Sequence, residues 1–420
     1  MTQEILEAIR QNPRLVVAQD YEITCQRVRC EKRQYLQGQS GVESFEESWW
    51  VLLRLIHRNR PGIAITTTVS KESLNRLVSQ AIESAEQSHP DPWFRFPIWP
   101  SKRKEKAAPK DIPKTFWEPG FPKLGLPELQ LNEWYELWDT NTLIFRRSER
   151  SSLEHREVVG KQTWTLGRDS ESFFGFEQRE TRLREFIKAV ETKKYAEPLV
   201  GDLPNHISLS PRALAPVLDQ ITSWFLSDQV RAFKSPLQFE DLGKPVMSQC
   251  LELYDDGLNE NTLFSGPFDL EGINSQKTPL VAKGVLRNFL YDSYSGVMDN
   301  RLSTGNRIRF PGETEARLGA RALCLESGSE TEKEIWDVKS FGLAIEGWNQ
   351  MEISTDLKLR GSAYGWKKQK GLPDKPVKFE GLEWDLKKLL FRAEKVASDS
   401  RCFGNISCPT VFFAGLAQTI

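Results

Sequence analysis

Residues 48–85 read SWWVLLRLIHRNRPGIAITTTVSKESLNRLVSQAIESA, and this stretch decides the fold class. Ser48 to Ile56 is a strongly β-prone run. His57 to Gly62 punctuates it, and Ile63 to Val69 resumes as a strand, so the spacing predicts a hairpin. Ser70 can cap a following helix, its hydroxyl accepting an orphan backbone N–H. Leu74, Leu77, Val78, Ala81, Ile82 and Ala85 then fall on one helical face. A strand pair that feeds one amphipathic helix is a sheet with its apolar side covered.

Upstream, Tyr21, Ile23 and Cys25 alternate with polar neighbours, a period-two strand signal, and Gly38, Ser40 and Gly41 mark a turn. Downstream, nine prolines between Pro90 and Pro127 interrupt any regular element. Within that segment Ser101 to Lys106 is a short basic run, read as a solvated loop before a contact to an acidic partner. A second β-rich block spans Glu133 to Phe176, and Leu183, Phe186, Ile187 and Val190 share a helical face. Another helix is predicted near Ser210 with Pro211 at its first position, although Pro216 points to a start one turn later. From Ser235 on, glycines every six to twelve residues suit short antiparallel strands. One helix is expected there, over Leu386, Leu389, Leu390, Ala393, Val396 and Ala397, before a β-like run from Thr410 to Phe413. The expectation is an α+β protein: an N-terminal sheet-and-helix lobe, then a mainly antiparallel β C-terminal lobe with few helices. Its divisions are 1–100, a Pro/Lys-rich linker at 101–127, a central β-rich and helical domain at 128–230, and a C-terminal β domain at 231–420.

Composition narrows the function classes. The chain has 420 residues, 39% of them hydrophobic and 27% charged, enough for a large core, which excludes a disordered chain. A net charge of -1 gives no electrostatic reason to expect nucleic acid or a membrane surface as partner. No apolar run approaches the roughly 20 residues of a membrane-spanning helix. Glu4 and Glu7 speak against a secretory signal, and six sparse cysteines then read as reduced, mostly buried thiols in a cytoplasmic protein.

The common catalytic signatures fail in turn. The four histidines, His57, His89, His155 and His206, never pair at one helical turn, as a local zinc site requires. Cys25 with Cys30, and Cys402 with Cys408, lack ribbon spacing. Gly243-Lys244 is not a phosphate loop, and no nucleophile elbow occurs. No catalytic residue and no metal ligand is therefore assigned. Two polar constellations remain. In Ser265 to Gly272 the carboxylates Asp269 and Glu271 would share a face if extended, for acid–base work or a cation. A capped turn is the favoured reading there. Ser303-Thr304-Gly305-Asn306 is a polar loop suited either to gripping a peptide backbone or an anion, or to an ordinary turn.

These segments, in their order, resemble the TldD/PmbA family, in its PmbA (TldE) branch. The resemblance rests on Gly41 to Ser44, the Trp49 to Ile56 strand, Gly62 to Thr66 and Ala81 to Ala85. It continues through Asp241 to Val246, Asp255-Asp256, Phe268 to Gly272, Gly284 to Leu286, Leu290 to Asp292 and Ser303 to Asn306. The family is named for modulation of DNA gyrase and treated as metallopeptidases. The resemblance implies two α+β lobes and a heterodimer whose TldD-like subunit holds zinc on a histidine–glutamate–histidine helix and cleaves unfolded or short peptides. This chain would be the subunit without that helix, since His206 to Pro211 has no ligand set, and it would need no cofactor of its own. Asp269, Glu271, Gly272, Ser303, Thr304, Gly305 and Asn306 would then line a peptide chamber. Ser354-Thr355-Asp356 and the 101–127 stretch depart from the family pattern. Two alternatives stay open. One is an autonomous metallopeptidase built on Cys402, a histidine and a carboxylate such as Asp269. The other is a protein that holds a client without cleaving it.

Overall fold

A computed structural model describes residues 2–36, 39–99, 114–118, 131–166, 168–174, 179–201, 204–259, 262, 264–309, 313, 315–339 and 341–416. The predicted turn around Gly38 and the basic run 101–106 lie outside these in whole or part. The fold is α+β, with long antiparallel strands first and shorter, mixed pairing later.

The N-terminal lobe contains α1 (Thr2–Arg10), β1 (Asp20–Leu36), β2 (Gln39–His57), β3 (Arg60–Thr66), α2 (Lys71–Gln87), β4 (Leu131–Arg146), β5 (Ser151–Leu166), β6 (Asp169–Phe174) and α3 (Arg179–Tyr195). The predicted hairpin is β2–β3, and Ser70 caps α2 by accepting from the Ser73 N–H. Such a cap contributes about 1 kcal/mol. The six strands form one antiparallel sheet in the order β3-β2-β1-β4-β5-β6. Strand pairing thus crosses the division expected between 1–100 and 128–230: β4 lies against β1 from Glu22↔Arg146 to Leu36↔Asn132. Local periodicity identifies each strand but cannot report a neighbour so distant in sequence.

The second lobe begins with β7 (Glu197–Pro198), β8 (His206–Leu209), α4 (Pro211–Ile221) and α5 (Ser227–Arg231). It continues with β9 (Leu253–Asp256), β10 (Lys277–Ala282), β11 (Val285–Leu286), α6 (Ser293–Met298), β12 (Arg307–Ile308), β13 (Arg317–Leu318) and β14 (Leu323–Leu325). It ends with α7 (Glu332–Asp337), β15 (Phe341–Ile353), β16 (Lys358–Gln369), β17 (Lys375–Asp385), α8 (Leu386–Phe391), β18 (Ala393–Val396), β19 (Arg401–Phe403), β20 (Ile406–Cys408) and β21 (Val411–Ala414). Two main sheets, β11-β10-β9-β14-β20-β19 and β18-β21-β8-β15-β16-β17-β7, share one apolar core with α4 and α8.

Two local expectations differ from the structure. α4 starts at Pro211, with Ser210 as N-cap, so Pro216 sits inside the helix and does not delay it. Buried Leu214, Val217, Leu218 and Ile221 hold the helix against that core despite the missing N–H. The helix expected across 386–397 stops at Phe391, because Ala393–Val396 pairs with β21 as a strand. No described helix is long and apolar enough to cross a membrane. The cysteines are free thiols, with Cys25, Cys30, Cys324 and Cys408 buried.

Around 21–25, 50–56 and 142–146 the sheet of the first lobe is covered on both faces, while 39–48 of β2 stand largely exposed. Tyr21, Ile23, Cys25, Leu53, Leu143 and Phe145 pack under α1 and α2. The alternate residues of the same strands, Glu22, Thr24, Arg54 and Arg146, face the second lobe, where Glu22, Thr24 and Arg146 are buried. That second face positions the site.

Candidate functional site

The turn 265–275 is built from its own side chains. Asp269 Oδ1 accepts from the Glu271 N–H (2.9 Å) and the Ile273 N–H (3.0 Å), and Oδ2 accepts from the Arg307 N–H (3.0 Å). Gly272 closes the turn at φ +73°, a left-handed conformation in which a Cβ would also lie 2.6 Å from Leu153 and Trp99. Asp269 and Glu271 are both buried, so the capped turn anticipated from the sequence is what forms. Burial first, and the Glu271 charge second, push the Asp269 carboxyl up to about 7, against the pull of the N–H donors.

Glu271 turns away from Asp269 into a buried ion network that joins the lobes. Its Oε1 accepts from Arg54 Nη1 (3.3 Å), its Oε2 from the Ser293 N–H (2.8 Å), and its carbonyl from Trp99 Nε1 (3.0 Å) and Arg146 Nη2 (3.2 Å). Glu22 accepts from both guanidiniums, each Nε at 3.1 Å. Two arginines and two glutamates balance, and Arg146 also lies 4.5 Å from the Trp99 ring. Burial lowers the Arg54 pKa and the two glutamates more than restore it, leaving it raised.

The loop Ser303–Asn306 is likewise engaged within the chain. Thr304 Oγ1 accepts from the Tyr291 N–H (2.8 Å), and Ser303 Oγ donates to the Tyr291 carbonyl (3.2 Å) and accepts from the Gly305 N–H (3.2 Å). Asn306 Nδ2 donates to Asp255 Oδ2 (2.7 Å), and Asp255 Oδ1 accepts from the Arg321 and Ala322 N–H groups (2.7 and 2.9 Å). Burial pushes the Asp255 carboxyl up to about 6. Arg307 Nη1 donates to Asp292 Oδ2 (2.6 Å). Burial alone would raise Asp292, but Arg307 and the Ser295 donors hold it below the usual range.

Between this assembly and β1, β4 and β5 lies a cleft of about 110 Å³. Gln26, Thr142, His155 and Glu157 line it from the sheet, and Asp269, Arg307, Arg309 and Arg321 line it from the second lobe. Arg309 bonds Gln26 Oε1, lies 4.6 Å from the Trp50 ring, and has its pKa lowered to about 10 by burial. Arg321 Nη1 donates to Ser275 Oγ (2.7 Å) and its Nε to the Phe264 carbonyl (2.7 Å). Of the candidates from the sequence, Asp269 borders the cleft; Glu271, Gly272 and Ser303–Asn306 stand behind it. Sequence reasoning missed Glu22, Arg54, Arg146, Arg309 and Arg321. For Glu22, Arg54 and Arg146 the one available signal was charge at alternate positions of strands, which a solvated face shows equally; Arg309 and Arg321 lie outside the strands and gave none.

The histidines are dispersed. His57 Nδ1 meets the Val17 carbonyl (2.9 Å), His206 Nδ1 meets Lys339 Nζ (3.1 Å), and His155 packs edge-on to Phe268. Among the described residues no three His, Cys, Asp or Glu side chains could hold a metal ion together. Cys402 faces Ser407 across β19 and β20 and joins no such set. The described residues do not fit a zinc ion.

Residues 205–419 match the family description "PmbA/TldA metallopeptidase C-terminal domain". The chain belongs to the PmbA/TldD family. Methanocaldococcus jannaschii supplies two relatives. One, named metalloprotease MJ0996, is 22% identical over 384 residues, with 83% of each chain covered. The other, named uncharacterized protein MJ0231, is 35% identical over 118 residues, which span only 28% of either chain. The crystal structure of TldE from Thermococcus kodakarensis superposes with a TM-score of 0.80 at 17% identity, covering 100% of this chain and 99% of that one. In this PmbA/TldD-family chain, the matched region starts just before β8 and holds the turn, the polar loop and Arg321.

Proposed function

We propose that this chain is the TldE-type, non-catalytic subunit of a TldD-like zinc metallopeptidase that degrades or processes unfolded or short peptides. The observation that carries the reading is that no three His, Cys, Asp or Glu side chains among the described residues could hold a metal ion together. The full-length likeness to TldE supports it. In this reading zinc and the hydrolytic step belong to the partner, and this chain closes the chamber around a peptide. Asp269 borders the cleft and accepts from the Arg307 N–H. Behind it, in the turn closed by Gly272, Glu271 is held by Arg54 and Ser293, and the loop Ser303, Thr304, Gly305 and Asn306 is held through Tyr291 and Asp255. The relative named a metalloprotease favours a second reading, an autonomous enzyme with an atypical site including Cys402.

The test is to purify the chain alone and with a TldD-like chain, measure zinc by elemental analysis, and assay hydrolysis of a denatured protein. Stoichiometric zinc and chelator-sensitive hydrolysis are expected only in the complex. Zinc and hydrolysis in the lone chain, lost in Cys402→Ala, would establish the second reading instead.

A further inference from the structure

A trough of about 870 Å³ lies on another side of the molecule, between the end of α3, the β5–β6 turn and the sheet β15-β16-β17. Its floor is made by two β-bulges that flank one residue. In the β15–β16 ladder Trp348 pairs with Ala363 and Gln350 with Ser362, leaving Asn349 extra. In the β16–β17 ladder Gly361 pairs with Leu382 and Ala363 with Phe379, so Ser362 stands opposite both Glu380 and Gly381. Gly381 takes φ +71°, the left-handed glycine of one bulge type. Bulges re-aim side chains and concentrate near functional sites. Here they bring Asn349, Gln350 and Ser362 to one floor, and none of these side chains has a hydrogen-bond partner among the described residues. They offer donors and acceptors matched to a peptide backbone.

The rim is cationic. Arg168, Lys193, Lys194 and Lys378 face two carboxylates, Asp169 and Glu380, an excess of two positive charges. Lys193 is taken by Asp169 at 2.5 Å. Arg168 and Lys378 are exposed and have no side-chain partner among the described residues. The volume falls within the range of about 300–1,000 Å³ typical of ligand sites.

We infer that this trough binds a short acidic peptide segment, its carboxylates against Arg168, Lys194 and Lys378 and its backbone against Asn349, Gln350 and Ser362. The inference concerns a different surface from the cleft and holds whether or not the chain is catalytic.

The test uses the purified full chain and fluorescence anisotropy of fluorescein-labelled hexaglutamate, with hexaglutamine and a single-stranded hexanucleotide as comparisons. Hexaglutamate should bind more tightly than both and weaken as salt rises. Arg168→Glu and Lys378→Glu should each weaken it about fivefold, the upper end for an exposed ion pair. Ser362→Asp, which puts an anion on the floor, should abolish binding. Lys71→Glu, an equal charge change on exposed α2, should alter affinity less than twofold. Equal binding of hexaglutamine, tighter binding of the hexanucleotide, or indifference to Arg168→Glu, Lys378→Glu and Ser362→Asp would each overturn the inference. Since no step reads zinc or hydrolysis, failure here leaves the subunit assignment untouched, and failure of that assignment leaves this result standing.

Discussion

Replacing Glu22 by Gln is the sharpest probe of how the lobes are held together. The change keeps shape and removes one charge. Glu22 serves both Arg54 and Arg146, and its side chain is 1% exposed, as is that of Arg146. In the variant, Glu271 still reaches Arg54 at 3.3 Å, but Arg146 keeps no carboxylate, only the new neutral amide oxygen and the carbonyls of Pro97 and Glu271. A guanidinium left buried without a carboxylate costs about 3–5 kcal/mol, mostly as unrecovered desolvation. At roughly 2–4 °C per kcal/mol for a lobe of this size, the melting midpoint should fall by about 10 °C. Urea unfolding followed by tryptophan fluorescence is the assay, because Trp99 lies 4.5 Å from Arg146. Glu31→Gln is the control: it lies on the same strand, half-exposed beside Arg33, and should cost less than about 1 kcal/mol. A Glu22→Gln variant within about 1 kcal/mol of the parent would refute the claim that this network joins the lobes energetically.

Asp269 and Asp255 have folded-state pKa values raised to about 7 and about 6 from an ordinary 3.8. Their contribution to stability is therefore full below about pH 3.8 and is lost progressively as pH rises through about 6 for Asp255 and about 7 for Asp269. Denaturation midpoints across pH 4–8 should show this decline, and Asp269→Asn should flatten it; an unchanged slope would remove Asp269 from the account. Gly272→Ala should destabilise by about 1–3 kcal/mol, since the turn is left-handed and the new methyl would press on Trp99 and Leu153. Thermal unfolding reads that loss, and a neutral result would mean that the turn can relax. Ser70→Ala should cost about 1 kcal/mol through the lost α2 cap, and a helix-directed probe such as hydrogen exchange over 71–75 should show fraying.

The helix-on-hairpin unit at 48–85 was legible because its parts are adjacent and each carries its own period. The capped turn at Asp269 was legible for the same reason: two of its three donors lie two and four residues on, and only Arg307 is distant. Ala393 to Ala397 misled because a short apolar run fits either a helix or a strand, and the choice fell to β21, far along the chain.

The residue order alone determined the class of fold, the covered face of the first sheet, the scattered histidines and the family. Only tertiary structure decided that β4 joins β1, that the polar face of that sheet is buried, and that Glu22 and Glu271 share two arginines. The reason is range: periodicity, caps and turns act between residues a few positions apart. A charge on a strand looks the same whether water or another lobe will cover it. That difference arises when segments more than two hundred residues apart meet and exclude solvent.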